Sequence, residues 1–377
     1  MEPITHFLTG ACIGRAGLNR KTAYATLAAV LAAEAADLDV LWGFAGPVEG
    51  LKHHRGITHT FIATPVVAAA AVGATWLYAR WQQRRRDRRL KSLPPPEPGA
   101  PLRPGRQPVR WWWVFLAAFI SSLSHILLDW TNNYGVRPFY PFNPRWYAGS
   151  FVFIAEPVFW ALLVAALIVP GILGLAEREI SSRRVVAPFR GRGWAIFALS
   201  GIFLIWCLRY AEHAQAEALV RNNPITTDPV DRIAAEPYPW NPFRWHVIVE
   251  TPGYYQFAEV NARTAEIDSD AQTDQLRKPA DTPAVEAAKQ TLLGKVYLDW
   301  GRWAVVQDIG QVQVIGIDPP RLPPGQTWTT VEFTDLRFGY DFRSSGNTRP
   351  PSGLGGAVYI LDGKEEAGME MGGRSQK

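Results

Sequence analysis

The chain of 377 residues is 47% apolar and 19% charged, with a mean hydropathy of −0.07, as expected for a soluble protein of about two or three domains. The distribution of charge excludes this description for the chain as a whole. Residues 1–213 carry 23 Lys and Arg against 12 Asp and Glu, whereas residues 214–377 carry 16 against 22. Both cysteines, Cys12 and Cys207, lie in apolar segments, which excludes a disulfide framework and a thiolate metal cluster.

The basic first half, residues 1–213, predicts a multi-pass membrane domain. Most of its apolar segments reach the roughly 20 residues that a spanning helix needs. They lie at about 4–14, 22–45, 57–79, 111–130, 151–176 and 193–211. We therefore expect an all-α helical bundle with about five to six membrane segments.

Basic loops between these segments predict the orientation in the membrane. Residues 80–110 contain ten Arg and Lys and the run Pro94–Pro96, which indicates a flexible cytoplasmic loop. Binding of anionic lipid or nucleic acid is the less favoured interpretation, and the nucleic-acid signal is weak. With a second basic loop at 178–192 also inside, residues 46–56, 131–150 and everything after about 212 are predicted to face the outer side.

The acidic second half predicts a small soluble β-rich or α+β domain over residues 214–362. Short alternating runs punctuated by Gly, Pro and Asn are typical of strands. The predicted strands are 245–250, 254–260, 303–308, 311–317, 327–333 and 357–361, with a helix around 282–293. Residues 363–377, rich in Gly, Glu and Lys, are expected to form a disordered tail. No motif in this half indicates a catalytic function.

Histidine and acidic residues recur at the predicted outer ends of the membrane segments. Ionisable groups are costly in hydrocarbon, so each one is a candidate functional residue. Two pairs, His125 with Asp129 and His213 with Glu217, are four residues apart and share one side of a helical turn. The remaining candidates are His6, Asp37, Asp39, His54 and His59.

Imidazole and carboxylate together suit Zn²⁺, Mn²⁺ or Fe²⁺ better than Mg²⁺ or Ca²⁺. The set therefore predicts a divalent metal site, with Zn²⁺ favoured. The alternative is that these residues form His–Asp pairs that cap helices and satisfy one another. Arg55 is a candidate for binding a phosphate oxygen, Arg137 and Arg145 for binding an anion at the rim, and Glu156 for orienting a ligand.

Four short motifs occur in a specific order: 5–10 (THFLTG), 37–39 (DLD), 54–59 (HRGITH) and 125–129 (HILLD). Over about residues 1–160 this order resembles the YdjM-like inner-membrane metal-dependent hydrolases of bacteria. A more distant resemblance is to the zinc site of zinc-dependent phospholipase C and related nucleases. The positions that would correspond in this chain are His6, Asp39, His59, His125, Asp129, His213 and Glu217. The resemblance implies an all-helical metal centre that hydrolyses a phosphoester at the bacterial inner membrane.

The predicted mechanism is attack by a metal-activated water on phosphorus or a carbonyl carbon. One of Asp37 and Asp39 would bind the metal and the other would act as general base or orient a ligand. We assign Asp39 to the metal, and Asp37 and Arg55 to catalysis. The predicted ligands are His6, Asp39, His54, His59, His125, Asp129, His213 and Glu217.

The predicted location at the outer face favours a phospholipid or another lipid-linked phosphate as substrate, with the C-terminal domain as a lid or docking module. The bilayer itself is the other expected partner. The alternative function is a non-enzymatic membrane protein, either a metal sensor or a scaffold. Transport is less favoured, because the polar residues cluster at one face and do not line a path across the bilayer.

Overall fold

The computed structural model describes residues 1–92, 107–180, 191–340 and 354–376. Its first half is helical, in agreement with the prediction. The helices are α1 (Pro3–Arg15), α2 (Ala25–Ala35), α3 (Pro47–His53), α4 (Thr64–Lys91), α5 (Trp111–Thr131), α6 (Pro157–Ile180) and α7 (Arg192–Asn222). Two 3-10 segments, Ala36–Ala45 and Ile57–His59, lie on either side of α3.

Among the described residues, three helices are long and apolar enough to span a membrane: α5, the Pro157–Ala176 part of α6, and α7. Residues Pro47–His59 and helix α4 add a fourth span if they count as one, although they meet at a bend of 88°. The predicted five to six spans are not confirmed. Helices α1 and α2 have 13 and 11 residues. At about 1.5 Å per residue, each is too short to cross a hydrocarbon core of roughly 30 Å.

Helix α2 packs between α1 and α5. It consists mainly of alanine, and Ala25, Ala28, Ala29 and Ala32 are completely buried. Small side chains allow α1 and α5 to approach α2 closely, and a Cβ atom added at Gly10 of α1 would lie 2.8 Å from the Ala29 oxygen. This close packing brings the end of α2 next to the last turns of α5.

The basic loop predicted at 80–110 begins later than expected. Helix α4 continues to Lys91, because the Arg, Gln and Lys residues after residue 80 are good helix formers. The run Pro94–Pro96 and most of the second basic loop lie outside the described residues.

Within its described residues, the second half contains two antiparallel sheets of five strands each, as the β-rich prediction expects. The first sheet contains β1 (Arg232–Pro237), β2 (Arg244–Glu250), β3 (Tyr254–Asn261), β4 (Glu266–Asp268) and β5 (Gln275–Arg277). The second contains β6 (Ala304–Asp308), β7 (Trp328–Asp335), β8 (Gly356–Leu361), β9 (Glu365–Met371) and β10 (Arg374–Ser375). In chain order, α8 (Pro283–Gln290) and α9 (Leu292–Trp300) separate the two sheets. We call residues 232–340 and 354–376 the sheet region.

Several predicted boundaries in this half were wrong. The tail predicted at 363–377 contains β9, whose backbone is paired with β8, and β10, which is paired with β9, so residues 365–375 form part of the second sheet. Residues 311–317 form no strand in the structure. The boundary expected at 213 lies inside α7, which continues to Asn222. The helix expected at 282–293 is two helices, because Thr291 leaves the helical conformation and its side chain caps α9.

Candidate metal centre

Four ionisable side chains meet at the end of α5. Asp37 comes from the 3-10 segment after α2, His59 from the segment before α4, and His125 and Asp129 from α5. One nitrogen or oxygen atom of each lies within 4.8 Å of those of the other three. His59, His125 and Asp129 are completely buried, whereas the Asp37 side chain is 19% exposed. We call these four residues the cluster.

The distances within the cluster fit a small divalent cation. The Nε2 atoms of His59 and His125 are 3.0 Å apart. The carboxylate oxygens of Asp37 and Asp129 lie 3.2 to 3.5 Å from these nitrogens. Four ligands around Zn²⁺ at its usual bond lengths would be about 3.3 to 3.4 Å from one another.

Hydrogen bonding at the far side of each ring aims both histidines at the same point. His125 Nδ1 lies 2.6 Å from the Ala33 carbonyl oxygen, and His59 Nδ1 lies 3.1 Å from Asp39 Oδ2. Each Nδ1 therefore carries a proton, and the Nε2 of each neutral ring is the nitrogen that can bind a metal. The buried Oδ2 atom of Asp129 has no hydrogen-bond partner in the structure. Two facing lone pairs and an unpartnered carboxylate oxygen are a donor set that a metal ion would complete.

The structure favours the opposite assignment of the two neighbouring aspartates from the one predicted. Asp37 belongs to the cluster, and Asp39 contacts His59 from the other side of the ring. The reason is geometric. In a 3-10 segment, residues two apart point in different directions, so the two carboxylates reach opposite nitrogens of His59.

Asp39 is held by several donors. It accepts hydrogen bonds from the Arg55 backbone N–H at 2.8 Å and lies 3.0 Å from His54 Nδ1. Burial raises the pKa of Asp39, but the hydrogen bonds with His54 and His59 outweigh burial and lower that pKa below its ordinary value. His54, a predicted ligand, therefore contacts Asp39, the carboxylate that orients His59, and is not part of the cluster.

His6, the earliest predicted ligand, lies against the cluster. Its ring stacks on His125 with 3.7 Å between centroids, and its Nε2 is 3.4 Å from Asp129 Oδ1. Neither ring nitrogen of His6 has a hydrogen-bond partner in the structure. The Met1 backbone nitrogen also contacts Asp129. His6 is thus placed to support Asp129 or to add a fifth ligand, which would be the third nitrogen.

Arg55 does not have the predicted position at the substrate. Its side chain is 3% exposed, its Nη2 lies 2.8 Å from Asp129 Oδ1, and its Nη1 donates to the Gly135 carbonyl oxygen at 2.7 Å. The guanidinium also lies over the Tyr134 ring at 4.7 Å. Arg55 is therefore a positioning residue, which orients Asp129 and ties it to the loop after α5.

The later candidates lie elsewhere. His213 and Glu217 face each other on α7 at 3.8 Å, and the His213 ring packs against Trp245 of β2. They belong to the contact between α7 and the first sheet, and neither is part of the cluster. Glu156 pairs with Arg209 of α7 at 2.5 Å, so it does not orient a cluster histidine.

The sheet region holds the loop that Arg55 contacts. Arg337 donates from Nη1 to the Asn133 carbonyl oxygen at 2.6 Å, and Trp300 Nε1 donates to the Tyr134 carbonyl oxygen at 3.1 Å. Nothing in the sequence pattern indicated this link, because its partners are far apart along the chain and belong to different predicted domains.

Sequence reasoning also missed Glu34, in the last turn of α2. It lies close enough to Asp37 and His125 to interact electrostatically with both. Its buried Oε1 has no hydrogen-bond partner among the described residues. The spacing of three residues to Asp37 was the signal that would have placed both on one helical face.

The model of the YdjM inner membrane protein family matches residues 1–216. The chain belongs to this family. The match contains the whole cluster and ends in α7, so the sheet region lies beyond it. No curated protein and no solved structure matches the chain. Membership of the YdjM family confirms the resemblance expected from the motifs, whereas the likeness to phospholipase C stays a prediction.

Proposed function

We propose that this YdjM family member is a membrane-embedded, metal-dependent hydrolase of a phosphoester or lipid-linked substrate. The observation that carries the proposal is the cluster itself, in which two oriented imidazoles and two carboxylates share one point. A protein that only needed to fill its core would gain nothing from two facing Nε2 lone pairs.

Asp37, His59, His125 and Asp129 would hold the ion, with Zn²⁺ favoured by the nitrogen and oxygen donors and Mn²⁺ or Fe²⁺ as alternatives. A divalent ion there supplies Lewis-acid chemistry, lowering the pKa of water towards about 7 and stabilising negative charge on the substrate. Asp39 keeps the His59 ring in its metal-binding tautomer, and Arg55 fixes Asp129. The partly exposed Asp37 marks the side from which substrate reaches the site.

We assign the general base to Glu34. Asp39 is engaged by His54, His59 and the Arg55 backbone, which leaves it no free oxygen for a proton from water. The Glu34 carboxyl interacts electrostatically with Asp37 and His125 and accepts a backbone hydrogen bond from Phe7, and its Oε1 has no hydrogen-bond partner among the described residues. Replacing Glu34 with Gln should lower kcat by about 100-fold or more while metal content stays unchanged, since general bases contribute about 10²–10⁴-fold. Loss of metal in this variant would instead make Glu34 a ligand.

The substrate reaches the site from the outer face of the membrane in this proposal. The basic segments at 80–110 and 178–192 orient the helices with those segments inside. The cluster then lies near the outer end of α5 together with the sheet region. External labelling of a cysteine introduced at Asn143, an exposed residue of the loop after α5, tests the orientation, and protection from the reagent would reverse it.

The decisive experiment is elemental analysis of protein purified in detergent. We expect one or more divalent ions per wild-type chain and near-complete loss of the ion and of hydrolysis in His125→Ala and Asp129→Ala. His213→Ala is the matched control, and it should retain both, because His213 lies outside the cluster. A metal-free wild-type protein that cannot be reconstituted would contradict the proposal.

A metal sensor or scaffold is the second candidate function. Three of the four cluster residues are completely buried, which suits an ion held for stability as well as one held for catalysis. Stoichiometric metal in the wild-type protein without turnover on any lipid phosphate would favour this alternative.

A further inference from the structure

A cavity of about 430 Å³ adjoins the cluster, and Asp39 forms part of its wall. The rest of the wall comes from the 3-10 segment after α2, from α3, from residues 56–58 before α4 and from the loop after α5. The cavity therefore opens next to the carboxylate that orients His59. No residue that we assign as a metal ligand lines it.

The charged groups of this cavity favour an anion. Arg137 is 8% exposed, and its Nε has no hydrogen-bond partner among the described residues. Lys52 adds a second, more exposed cation, whose Nζ lies 3.0 Å from Glu49. The one carboxylate in the wall, Asp39, is already engaged by histidines.

The other charges near these cations do not cancel them. The Arg137 Nη1 lies 3.4 Å from Asp299, whose side chain is 51% exposed, and the Nη2 donates to the Lys52 carbonyl oxygen at 3.0 Å. Glu49 is on the exposed side of α3 and also lies 3.3 Å from His53. Both carboxylates contact solvent, where an ion pair is weak and exchangeable.

The mouth of the cavity is apolar and exposed. Leu38, Trp42 and Ile57 line it, and each is more than half exposed. Trp42 stacks on His53 with 4.1 Å between ring centroids, which fixes an aromatic ring beside the cations. Exposed apolar side chains around a cationic cavity are typical of a surface that meets lipid headgroups and acyl chains together.

A bend beside this mouth adds further exposed apolar side chains. Residues Pro47–His59 meet α4 at 88°, so the two segments do not share one axis. Phe61, in the bend, packs on Phe139 of the loop after α5 with 5.5 Å between ring centroids, which extends the apolar surface beyond the mouth.

We propose that the cavity binds the phosphate-bearing headgroup of an anionic membrane lipid. The phosphate contacts Lys52 and Arg137, and the acyl chains leave along Leu38, Trp42 and Ile57. As a statement of the substrate class, this rests on the proposed hydrolase function. As a statement of binding, it stands on the cavity alone.

Delipidated protein in an uncharged detergent, titrated with phosphatidylglycerol or phosphatidylcholine and followed by native mass spectrometry, tests the proposal. We expect clear preference for phosphatidylglycerol. Lys52→Gln and Arg137→Gln should weaken its binding about tenfold or more, the equivalent of one charge-assisted hydrogen bond. Arg221→Gln is the matched control, because Arg221 is an exposed cation at the end of α7 and lies outside the cavity. Lys52 is exposed, so Lys52→Gln remains informative if Arg137→Gln fails to fold.

Equal binding of the two lipids, or unchanged binding in Lys52→Gln, would overturn the proposal. Full competition by inorganic phosphate at the lipid's own concentration would also overturn it, because the ligand would then be free phosphate. The same titration after metal removal by a chelator separates the two proposals. Preference that persists in a protein that never binds metal contradicts only the hydrolase, whereas metal and turnover without lipid preference contradict only this inference.

Discussion

Each half of the molecule buries an arginine against an aspartate, but the two pairs differ in whether a carboxylate oxygen remains without a hydrogen-bond partner. In the sheet region, Arg337 binds both carboxylate oxygens of Asp335, each at 2.9 Å. In the helical half, Arg55 contacts only Oδ1 of Asp129, and Oδ2 has no hydrogen-bond partner in the structure. Both arginines are almost completely buried.

The comparison separates a structural pair from a binding site. In a bidentate pair, the hydrogen bonds between the two charged groups offset the cost of burying them. No oxygen of the carboxylate then remains to bind a ligand. A half-satisfied carboxylate facing two imidazole lone pairs is costly unless a cation completes it. The two arginines are alike in burial and charge. They differ in that the aspartate paired with Arg55 keeps one carboxylate oxygen without a hydrogen-bond partner.

The largest expected effect comes from breaking the closed pair. Arg337→Leu should lower the free energy of unfolding by about 3–5 kcal/mol, because Asp335 is left buried without a counter-charge. Denaturant unfolding in detergent measures it. Arg244→Gln is the matched control, since Arg244 pairs with Glu259 on the surface with half of its side chain exposed, and should cost about 0–1 kcal/mol. Equal effects for the two variants would show that Arg337 and Asp335 are not a buried pair.

The open pair should respond in metal affinity more than in stability. Asp39→Asn removes the charge that orients His59 through Nδ1 and should weaken metal binding about 10–100-fold. Competition with a chromophoric chelator measures this affinity. Glu49→Gln, a nearby carboxylate on α3, should leave the affinity unchanged. Unaltered affinity in Asp39→Asn would contradict the assignment of Asp37 to the metal and of Asp39 to the orientation of His59.

The smallest effect, counted per pH unit, is a pH dependence in the sheet region. Burial raises the pKa of Glu236 from 4.5 to about 8. The folded protein then keeps a proton that the unfolded chain loses, so stability should fall between pH 4.5 and 8, by up to about 1.4 kcal/mol per pH unit. Below that window the contribution is fully present. Tm measured across the window should flatten in Glu236→Gln, and an unchanged slope would assign the pH dependence to other groups.

The sequence predicted the parts of the site that depend on local spacing. His125 and Asp129 share a helical face four residues apart, and their motif order identified the family. Strands such as β2 and β3 followed from alternating apolar residues. These features need only the period of one element, which the sequence contains directly.

The parts that failed depend on the path of the backbone between elements. The roles of Asp37 and Asp39 are decided by a 3-10 turn, and Arg55 was turned inward by a backbone with φ of +50°. His213 and Glu217 repeat the spacing of the α5 pair but occur on a helix that faces the first sheet. The sequence did not predict strands β9 and β10. They are stabilised by pairing with other strands, and composition does not reveal which segments pair.

The hydrogen bond from Arg337 to the Asn133 carbonyl oxygen has a consequence for the order in which the protein is made. Its two residues are 204 positions apart in the chain. The ribosome completes the helices and all four cluster residues well before it reaches Arg337. The loop that orients Arg55 therefore gains its contacts late, and it lacks them during much of the synthesis of the chain.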